Sequence, residues 1–477
     1  MQDPFPDVLI LGAGPAGMAA AMELSRAGKR SEIIEKASQV GGLAKTMTIE
    51  QPEGTYRTDI GPHRFYSKNR YLYDFIADLL GEEWKSVPRL TRFFVDGKFY
   101  FYPIRFRNVL SQIGILRAAR MMGDYLWERM RSSVAPRRIR SFEDYTLAQF
   151  GRTLARFNML NYTEKIWGLP CSQISVDWAT QRIGGLSLMA ALRKMLSKQG
   201  GPKTLVDTFY YPSRGSGLIY EAIRKRIEAK GSVVKTGMEP MKICWNTMRV
   251  SAVELSDGSS VAAEDVISSV PVTRLVALFD PPPPAAVLDA AAKLRFRSQV
   301  YLFLTIKRER VSRDNWIYFP DKSIPFGRIS EMKNFSEEMC PPGHTSLFVE
   351  FFCFENDRVW NASKEDLFAQ TMDHMERLGI LRRSEVTGIH HYRQAHVYPL
   401  YDLSYNEHLA VILDWLDRFE NFYAIGRPGR FRYTNQDHSL EMGILAAQSV
   451  LDGRRREVDE VTKEKEYFER GFVPERQ

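Results

Sequence analysis

Cysteine is scarce in this chain of 477 residues, which has four cysteines and no CxxC pair. They stand far apart, at Cys171, Cys244, Cys340 and Cys353. With no histidine pair at metal-ligand spacing either, this argues against a disulfide scaffold or a zinc site. No apolar run reaches the ~18 residues of a membrane-spanning helix, and no charged leader with a cleavage site opens the chain. We therefore expect a cytoplasmic protein that binds no metal.

Acidic residues are nearly missing between residues 105 and 140, where nine arginines stand against only Asp124 and Glu128. Apolar residues recur in this segment at roughly helical spacing, which predicts an amphipathic helix: Ile115, Met122, Leu126 and Met130. Three interpretations stay open: a rim that attracts anionic ligands, a surface in peripheral contact with acidic lipid, or a solvated helix face. Because no recognised nucleic-acid-binding module accompanies the charge, we expect no nucleic-acid partner.

The N-terminal segment is typical of a βαβ unit. An apolar run (DVLIL) leads into GAGPAG, then into a run of helix formers, and then into a second strand, SEIIEK. Gly12, Gly14 and Gly17 match the GxGxxG motif, whose glycines permit a tight turn, close approach of a pyrophosphate, and packing of helix on strand. Glu35 ends the second strand, where a carboxylate can accept hydrogen bonds from ribose hydroxyls. The pattern predicts a dinucleotide cofactor, NAD or FAD.

Three further segments distinguish between NAD and FAD: GGLAKT at 41–46, DIGPHRFYS at 59–67 and YYPSRGSGLIYEAIRKRIEAKGSVVKTG at 210–237. They resemble flavoproteins of the amine oxidase and protoporphyrinogen oxidase superfamily, and this favours FAD. The resemblance adds cofactor-binding candidates outside the glycine motif: Lys36, Gly42, Leu43, Ala44, Gly61, His63 and Val234.

The same resemblance implies the fold class. We expect an α/β protein with a Rossmann-like FAD-binding domain, a helical insertion and an antiparallel β-sheet substrate domain. The FAD-binding domain is expected to be discontinuous, formed by 1–75, 205–292 and 396–455. Residues 76–204 are expected to form a mainly helical cap, 293–395 the antiparallel sheet, and 456–477 a charged tail.

Three other segments are informative: NYTEKIWGLPCSQISVDWATQRI at 161–183, NWIYFPDKSIPFGRIS at 315–330 and IGRPGRFRYTNQDHSLEMG at 425–443. Together they are similar to UDP-galactopyranose mutases, the eukaryotic type above all. The resemblance implies that N5 of reduced flavin attacks the anomeric carbon of a nucleotide sugar and expels the diphosphate. The sugar then recloses, so that pyranose and furanose forms interconvert without net redox change. NAD(P)H or a reductase would supply the electrons.

The resemblance also implies roles for individual residues. Arg182 and Arg328 correspond to arginines that clamp the diphosphate, and Tyr318 and Tyr433 to tyrosines that donate hydroxyls to it. His63 lies in the loop that responds to flavin reduction, and these five are the catalytic candidates. Further flavin-binding candidates lie in the last motif: Gly426, Arg427, Asn435, Gln436 and Ser439.

The remaining candidates concern the substrate. Tyr162 and Trp167 fall in the segment that lines the nucleotide pocket of these mutases. Arg105 stands in YPIRF, where the family has a uracil-binding glutamine. The nucleotide base and the sugar therefore stay open.

Two other functions stay open. The first is an FAD-dependent oxidoreductase of the amine oxidase or protoporphyrinogen oxidase type, which would dehydrogenate a small molecule. The second is a flavoprotein with only a structural or binding role. The oligomeric state, including a homo-oligomer, is also open.

Overall fold

The computed structural model describes residues 6–102, 108, 112–135, 138–183 and 208–462. Its helices are Pro15–Arg26, Arg70–Leu80, Ile115–Val134, Phe142–Phe150, Arg152–Leu154, Leu160–Trp167, Val176–Ile183, Gly217–Glu228, Val272–Leu275, Ala285–Lys293, Lys364–Arg377, Tyr405–Leu416, Gly426–Gly429 and Gln436–Asp452. We call Pro15–Arg26 the first helix and Gln436–Asp452 the last helix.

A five-stranded parallel sheet forms the centre of one half of the molecule. In spatial order its strands are Phe422–Ala424, Asp265–Ser268, Val8–Leu11, Ser31–Glu35 and Val233–Thr236. Four residues of the central strand have no exposed surface at all, as a strand covered by helices on both faces requires. Every strand of this sheet comes from the segments expected to form the FAD-binding domain.

The backbones of the first and last helices pack against each other at very short distance. A Cβ placed on Gly443 would lie 2.0 Å from the carbonyl oxygen of Ala16. Glycine at this position therefore lets the C-terminal motif pack directly against the βαβ unit.

A seven-stranded sheet, antiparallel except for one pair, forms the other half. In spatial order its strands are Val386–Pro399, Phe296–Ile306, Thr345–Cys353, Arg328–Glu331, Trp316–Tyr318, Thr91–Val95 and Lys98–Phe101. The predicted fold class is thereby confirmed.

The last two strands of this sheet form a hairpin inside the range 76–204, which we expected to be mainly helical. Asp96 and Gly97, with φ of 51° and 77°, form its turn. An Asp-Gly pair between alternating apolar residues favours such a tight hairpin, so the signal was present in the sequence.

Smaller sheets complete the strand set: Thr46–Gln51 with Gly54–Asp59, Trp84–Pro88 with Thr208–Pro212, and a four-stranded sheet of Ser260–Val261, Arg249–Leu255, Pro240–Asn246 and Phe279–Asp280. Within the described residues, no helix combines the length and apolar character that crossing a bilayer would require. Nor do three or more His, Cys, Asp or Glu side chains converge there as metal ligands.

Candidate active site

A cavity of about 810 Å³ opens at the carboxyl ends of the parallel strands. Gly12, Lys36, Ser269 and Gly426 line it, each one or two residues beyond the end of a different strand. Open α/β sheets bind their ligands at this edge. The opposite wall is formed by side chains of the seven-stranded sheet: Trp316, Tyr318, Arg328, Gln394 and His396. The cavity thus lies between the two sheets.

Glycines around the start of the first helix allow the backbone to pack where a side chain would clash. Gly12 has a φ of 104°, and a Cβ on it would lie 2.2 Å from Oγ of Ser269. A Cβ on Gly17 would lie 2.0 Å from the carbonyl oxygen of Gly12, so this glycine packs helix on strand. A Cβ on Gly42 would lie 3.0 Å from Cα of Gly14. Since no side chain caps the first helix, its N–H groups can serve a phosphate.

Glu35 is fixed at the edge of this space by two backbone N–H groups. Ala13 N donates to Oε2 and Ala37 N to Oε1, each over 2.8 Å. Each carboxylate oxygen has a second lone pair, which leaves capacity for a ribose hydroxyl. Lys36 follows, and its Nζ lies 3.1 Å from a carboxylate oxygen of Glu239.

His63 lines the cavity as a neutral imidazole. Its Nε2 donates to the carbonyl oxygen of Ile60 over 2.7 Å, and its own carbonyl accepts a 3.0 Å bond from Oγ of Ser216. Burial, aided by the charge of Arg427, lowers the pKa of His63 to about 4. The side chain is therefore uncharged near neutral pH.

Arg427, in the C-terminal motif, is held by backbone carbonyl groups. Its Nε donates to Thr434 O over 2.8 Å and its Nη1 to Val397 O over 3.2 Å. Its guanidinium carbon lies 5.1 Å from the ring centre of Tyr433, within cation–π range. The charge is thus kept at the cavity wall without a carboxylate partner among these bonds.

Arg328 forms a two-pronged ion pair with Glu350. Nε and Nη2 lie 2.6 and 2.7 Å from the two carboxylate oxygens, and the Arg328 and Glu350 side chains are 15% and 1% exposed. Gln299 Nε2 donates to the same carboxylate over 3.0 Å. Burial alone would lower the pKa of Arg328, but the Glu350 carboxylate raises it well above its ordinary value. Tyr318, the cross-strand partner of Arg328, holds its ring 5.9 Å from the guanidinium carbon.

Aromatic side chains continue the wall on both sides of Arg328. Tyr433 stacks on Tyr398 with ring centres 5.6 Å apart and receives the edge of Trp178 at 4.8 Å. Tyr162 meets Tyr318 edge-on at 5.2 Å. Burial raises the pKa of Tyr398 to about 12, and it raises the pKa of Tyr162 well above its usual range. Both hydroxyls therefore stay protonated at neutral pH and can donate.

Most of the predicted site residues meet in this one cavity. Those that line it are Gly12, Gly14, Glu35, Lys36, Gly42, Leu43, Ala44, His63, Tyr318, Arg328, Gly426, Arg427, Tyr433, Asn435, Gln436 and Ser439. They come from both ends of the chain and from the seven-stranded sheet, so the fold gathers them over long sequence distances.

The other predicted residues lie elsewhere. Gly61 neighbours Arg328, because a Cβ on it would lie 3.5 Å from Nη2. Val234 is 8% exposed on the edge strand, and Trp167 is 1% exposed in the core; neither is among the residues that line the cavity. Tyr162 is half-buried and adjoins the cavity wall through Tyr318.

Two predicted substrate-binding residues cannot be placed. Arg105 lies outside the described residues. Arg182 belongs to the last turn of the helix Val176–Ile183, but its side chain is outside the described part.

Glu350 was not singled out from the sequence, although a signal was present. It is the one charged residue of SLFVEFFCF, in a strand whose residues are nearly all buried. A charge is rarely buried without a partner, so this lone acid indicated a buried cation. The partner, Arg328, lies on the neighbouring strand.

The residues present fit FAD. The space around Gly12, Gly14 and Gly42 would hold its pyrophosphate against the first helix, and Glu35 would hold its ribose. Beyond them, His63 and Arg427 line the continuation of the same cavity toward Arg328, where the flavin would meet a substrate.

Solved structures with the same fold include enzymes of two kinds. A reduced UDP-galactopyranose mutase matches 98% of this chain and 100% of its own, with a TM-score of 0.83 at 24% identity. A putrescine oxidase bound to putrescine matches 94% of this chain and 99% of its own, with a TM-score of 0.62 at 17% identity. At these identities the likeness establishes the fold alone.

Curated relatives include L-amino-acid oxidases. That of Bothrops jararacussu is 25% identical over 67% of this chain and 66% of its own length, and that of Demansia vestigiata 26% over 63% and 58%. The chain thus spans less than two thirds of the length of these relatives. The family model described as flavin containing amine oxidoreductase matches residues 15–451. This match covers most of the chain and includes Glu35 and the C-terminal motif around Arg427. The protein is therefore a member of the flavin containing amine oxidoreductase family.

Proposed function

We propose that the protein is an FAD-dependent mutase-like enzyme that interconverts the pyranose and furanose forms of a sugar carried on a nucleoside diphosphate. The observation that carries the proposal is the half-buried Arg328, which lies on the wall opposite Gly12, Gly14 and Gly42. Tyr318 flanks it, and Tyr433 lines the same cavity. A cation beside phenol hydroxyls suits phosphate oxygens, which accept charge-assisted hydrogen bonds.

Glu350 prepares Arg328 for this task. Its two bonds use two of the five guanidinium hydrogens, which leaves the others for a phosphate oxygen. Because the ion pair is formed before substrate arrives, little side-chain entropy is lost when the phosphate binds.

A diphosphate needs more positive charge than one paired arginine supplies. Arg427 lines the cavity, and its bonds to backbone carbonyls leave its charge uncompensated by a carboxylate. The helix Val176–Ile183, which carries Arg182, packs on the cavity through the contact of Trp178 with Tyr433. Arg182 stays a candidate for the same diphosphate because of the similarity of segment 161–183 to the mutases.

Reduced flavin, when bound, supplies an electron-rich nitrogen that can attack an anomeric carbon, with NAD(P)H or a reductase as the electron source. The protein's share of the work is to bind the sugar diphosphate, neutralise the leaving diphosphate and keep it close until the sugar has reclosed. We assign this work to Arg328, Arg427 and the hydroxyls of Tyr318 and Tyr433. His63 is neutral near pH 7 and therefore adds no charge to the site.

A second candidate function is oxidation of an amino acid, because the curated relatives include L-amino-acid oxidases. Arg328 could pair with a substrate carboxylate as it would with a phosphate. Such an enzyme would take electrons from its substrate into oxidised flavin and pass them to an acceptor.

One pair of assays separates the two functions. Enzyme reduced with dithionite under anaerobic conditions is incubated with UDP-, GDP- and dTDP-sugars, and the products are separated by chromatography. Oxidised enzyme is incubated in air with L-amino acids, and hydrogen peroxide is measured. The proposal requires isomerised nucleotide sugar in the first assay; peroxide in the second assay, with no isomerisation in the first, would assign the protein to the oxidases.

A further inference from the structure

The helix Ile115–Val134 carries its apolar residues on the side that faces away from the protein. It packs on the molecule through Met121 and Tyr125, which are 7% and 4% exposed. Four of its apolar side chains are nevertheless exposed: Leu116 is 89% exposed, Trp127 65%, Met130 59% and Val134 88%. At about 100° per residue, these four positions fall on one side of the helix, opposite Met121 and Tyr125. We call these four residues the outer face.

Exposed arginines border the outer face. Arg120 and Arg131 lie beside it on the same helix, and Arg138 and Arg140 follow; all four are exposed. One of the two local acids points away, because Asp124 accepts the backbone N–H of Thr153 over 3.1 Å. The surface therefore combines apolar side chains, a tryptophan among them, with a positive border.

We propose that the outer face docks on a membrane surface that contains anionic lipids. Helices with Trp and Leu on one side and arginines beside them lie in the lipid interface, and each basic residue adds attraction to acidic headgroups. A second copy of this chain fits less well, since a symmetric pair would bring the same arginines of both copies together. The proposal does not depend on which reaction the enzyme catalyses.

The helix Ile115–Val134 lies close to the cavity wall that includes Tyr318 and Arg328. Met121 packs in an apolar cluster with Phe93, Tyr100 and Phe157, and Tyr318 packs against the same cluster. One aromatic layer thus separates the proposed lipid contact from a residue that lines the cavity. Docking would hold the substrate end of the enzyme at the lipid surface.

The test is co-sedimentation of the flavin-loaded protein with vesicles of phosphatidylcholine, with and without phosphatidylglycerol. We expect binding to the anionic vesicles that weakens as salt is added, because salt screens the arginines. Trp127→Ser combined with Met130→Ser should weaken binding by at least about tenfold through lost apolar burial. Arg120→Gln combined with Arg131→Gln should weaken it about fivefold for each charge removed.

A matched control is Met241→Ser combined with Leu403→Ser, two apolar residues that are each 54% exposed elsewhere on the surface. This variant should bind anionic vesicles like the original protein, and all variants should keep their flavin. Binding that is absent, is equal for both vesicle types, or persists in the Trp127 and Met130 variant would overturn the proposal. So would light scattering that shows a dimer which this variant dissociates, because the outer face would then be an interface between copies.

Discussion

Arg328 is the residue on which the proposed substrate class depends most. Lysine in its place would keep the charge but lose the planar fork that pairs with Glu350 and a phosphate together. We expect Arg328→Lys to fold, to keep its flavin, and to bind UDP roughly tenfold more weakly, as loss of one charge-assisted contact implies. Isothermal titration with UDP, GDP and dTDP measures the effect. Arg70→Lys is the control, because that side chain is 80% exposed, and unchanged affinity in Arg328→Lys would remove Arg328 from the phosphate site.

The pair also has a stability consequence. In Arg328→Ala the carboxylate of Glu350 stays buried without its cation, which costs about 3 to 5 kcal/mol of the free energy of unfolding. The double variant Arg328→Ala with Glu350→Gln should recover part of that loss, since an amide tolerates burial better than an unpaired charge. Urea unfolding of the flavin-loaded proteins measures both changes. A single variant as stable as the original protein would contradict a buried, paired carboxylate.

Glu35 should decide how much flavin the protein retains. Glu35→Gln keeps an oxygen for one backbone N–H but removes the charge that a ribose hydroxyl meets, and we expect roughly tenfold weaker flavin binding. Glu35→Lys removes the acceptor entirely and should leave the protein nearly colourless. The ratio of flavin to protein absorbance measures this, with Glu50→Gln, on the neighbouring hairpin outside the cavity lining, as the control. Full flavin content in Glu35→Lys would contradict the assigned ribose contact.

His63 should stay neutral at pH values where free histidine is protonated. With a pKa of about 4 in the folded protein and ~6.5 in an unfolded chain, its protonation favours the unfolded chain. Stability is therefore lost as the pH falls from 6.5 toward 4. The direct measurement is NMR titration of the eight histidines, in which the signal missing from His63→Gln should keep its neutral shift down to about pH 5. Titration of that signal near pH 6.5 would contradict the buried, uncharged imidazole.

At the scale of elements, Lys165 contacts three backbone carbonyl groups of the loop between Tyr318 and Arg328. Nζ of Lys165 lies 2.7, 2.8 and 2.7 Å from the carbonyl oxygens of Phe319, Asp321 and Phe326. Lys165 is thus a positioning residue, which ties the helix Leu160–Trp167 to the strands that carry the tyrosine and the arginine.

Lys165→Met removes all three bonds, and we expect faster amide exchange in residues 319–327 and several-fold weaker UDP binding, with flavin content unchanged. Lys322→Met is the matched control: Lys322 lies in the same loop, is 56% exposed and pairs with Glu164 on the same helix. If both variants behave alike, Lys165 has no special role in positioning the loop.

The elements that could be predicted from sequence are those whose signal is local. The strand, glycine turn and helix around Gly12 follow from residues next to one another, and so does the C-terminal motif around Arg427. The lone acid of SLFVEFFCF indicates a cationic partner, but no short pattern identifies that partner as Arg328. The three bonds of Lys165 likewise join residues that are distant in sequence. Similarity of a segment can also mislead for a single residue. Trp167 lies in a segment similar to a nucleotide-binding segment, but its ring packs against Trp178 in the core.

At the scale of the whole molecule, two sheets face one cavity from opposite sides, and each contributes a different set of side chains to it. The parallel sheet places Gly12 and Glu35 on one side of the cavity, and the seven-stranded sheet places Arg328 and Tyr318 on the other. We propose that the first side binds the dinucleotide and the second binds the substrate. Enzymes with this arrangement can oxidise or isomerise, as the putrescine oxidase and the UDP-galactopyranose mutase of the same fold illustrate. The fold therefore does not determine the reaction, and our proposal of a phosphorylated substrate rests on Arg328 and Arg427 in the cavity.

The ratio of product to flavin reduced tests the proposed reaction most directly. A mutase returns no electrons to its product, so one reduction of the flavin should support many turnovers, and oxidised enzyme should be inert. We expect product far in excess of the dithionite supplied, under anaerobic conditions, with at least one of the UDP-, GDP- and dTDP-sugars. Turnover that begins from oxidised flavin, with one acceptor reduced for each substrate consumed, would contradict the mutase assignment and establish an oxidoreductase.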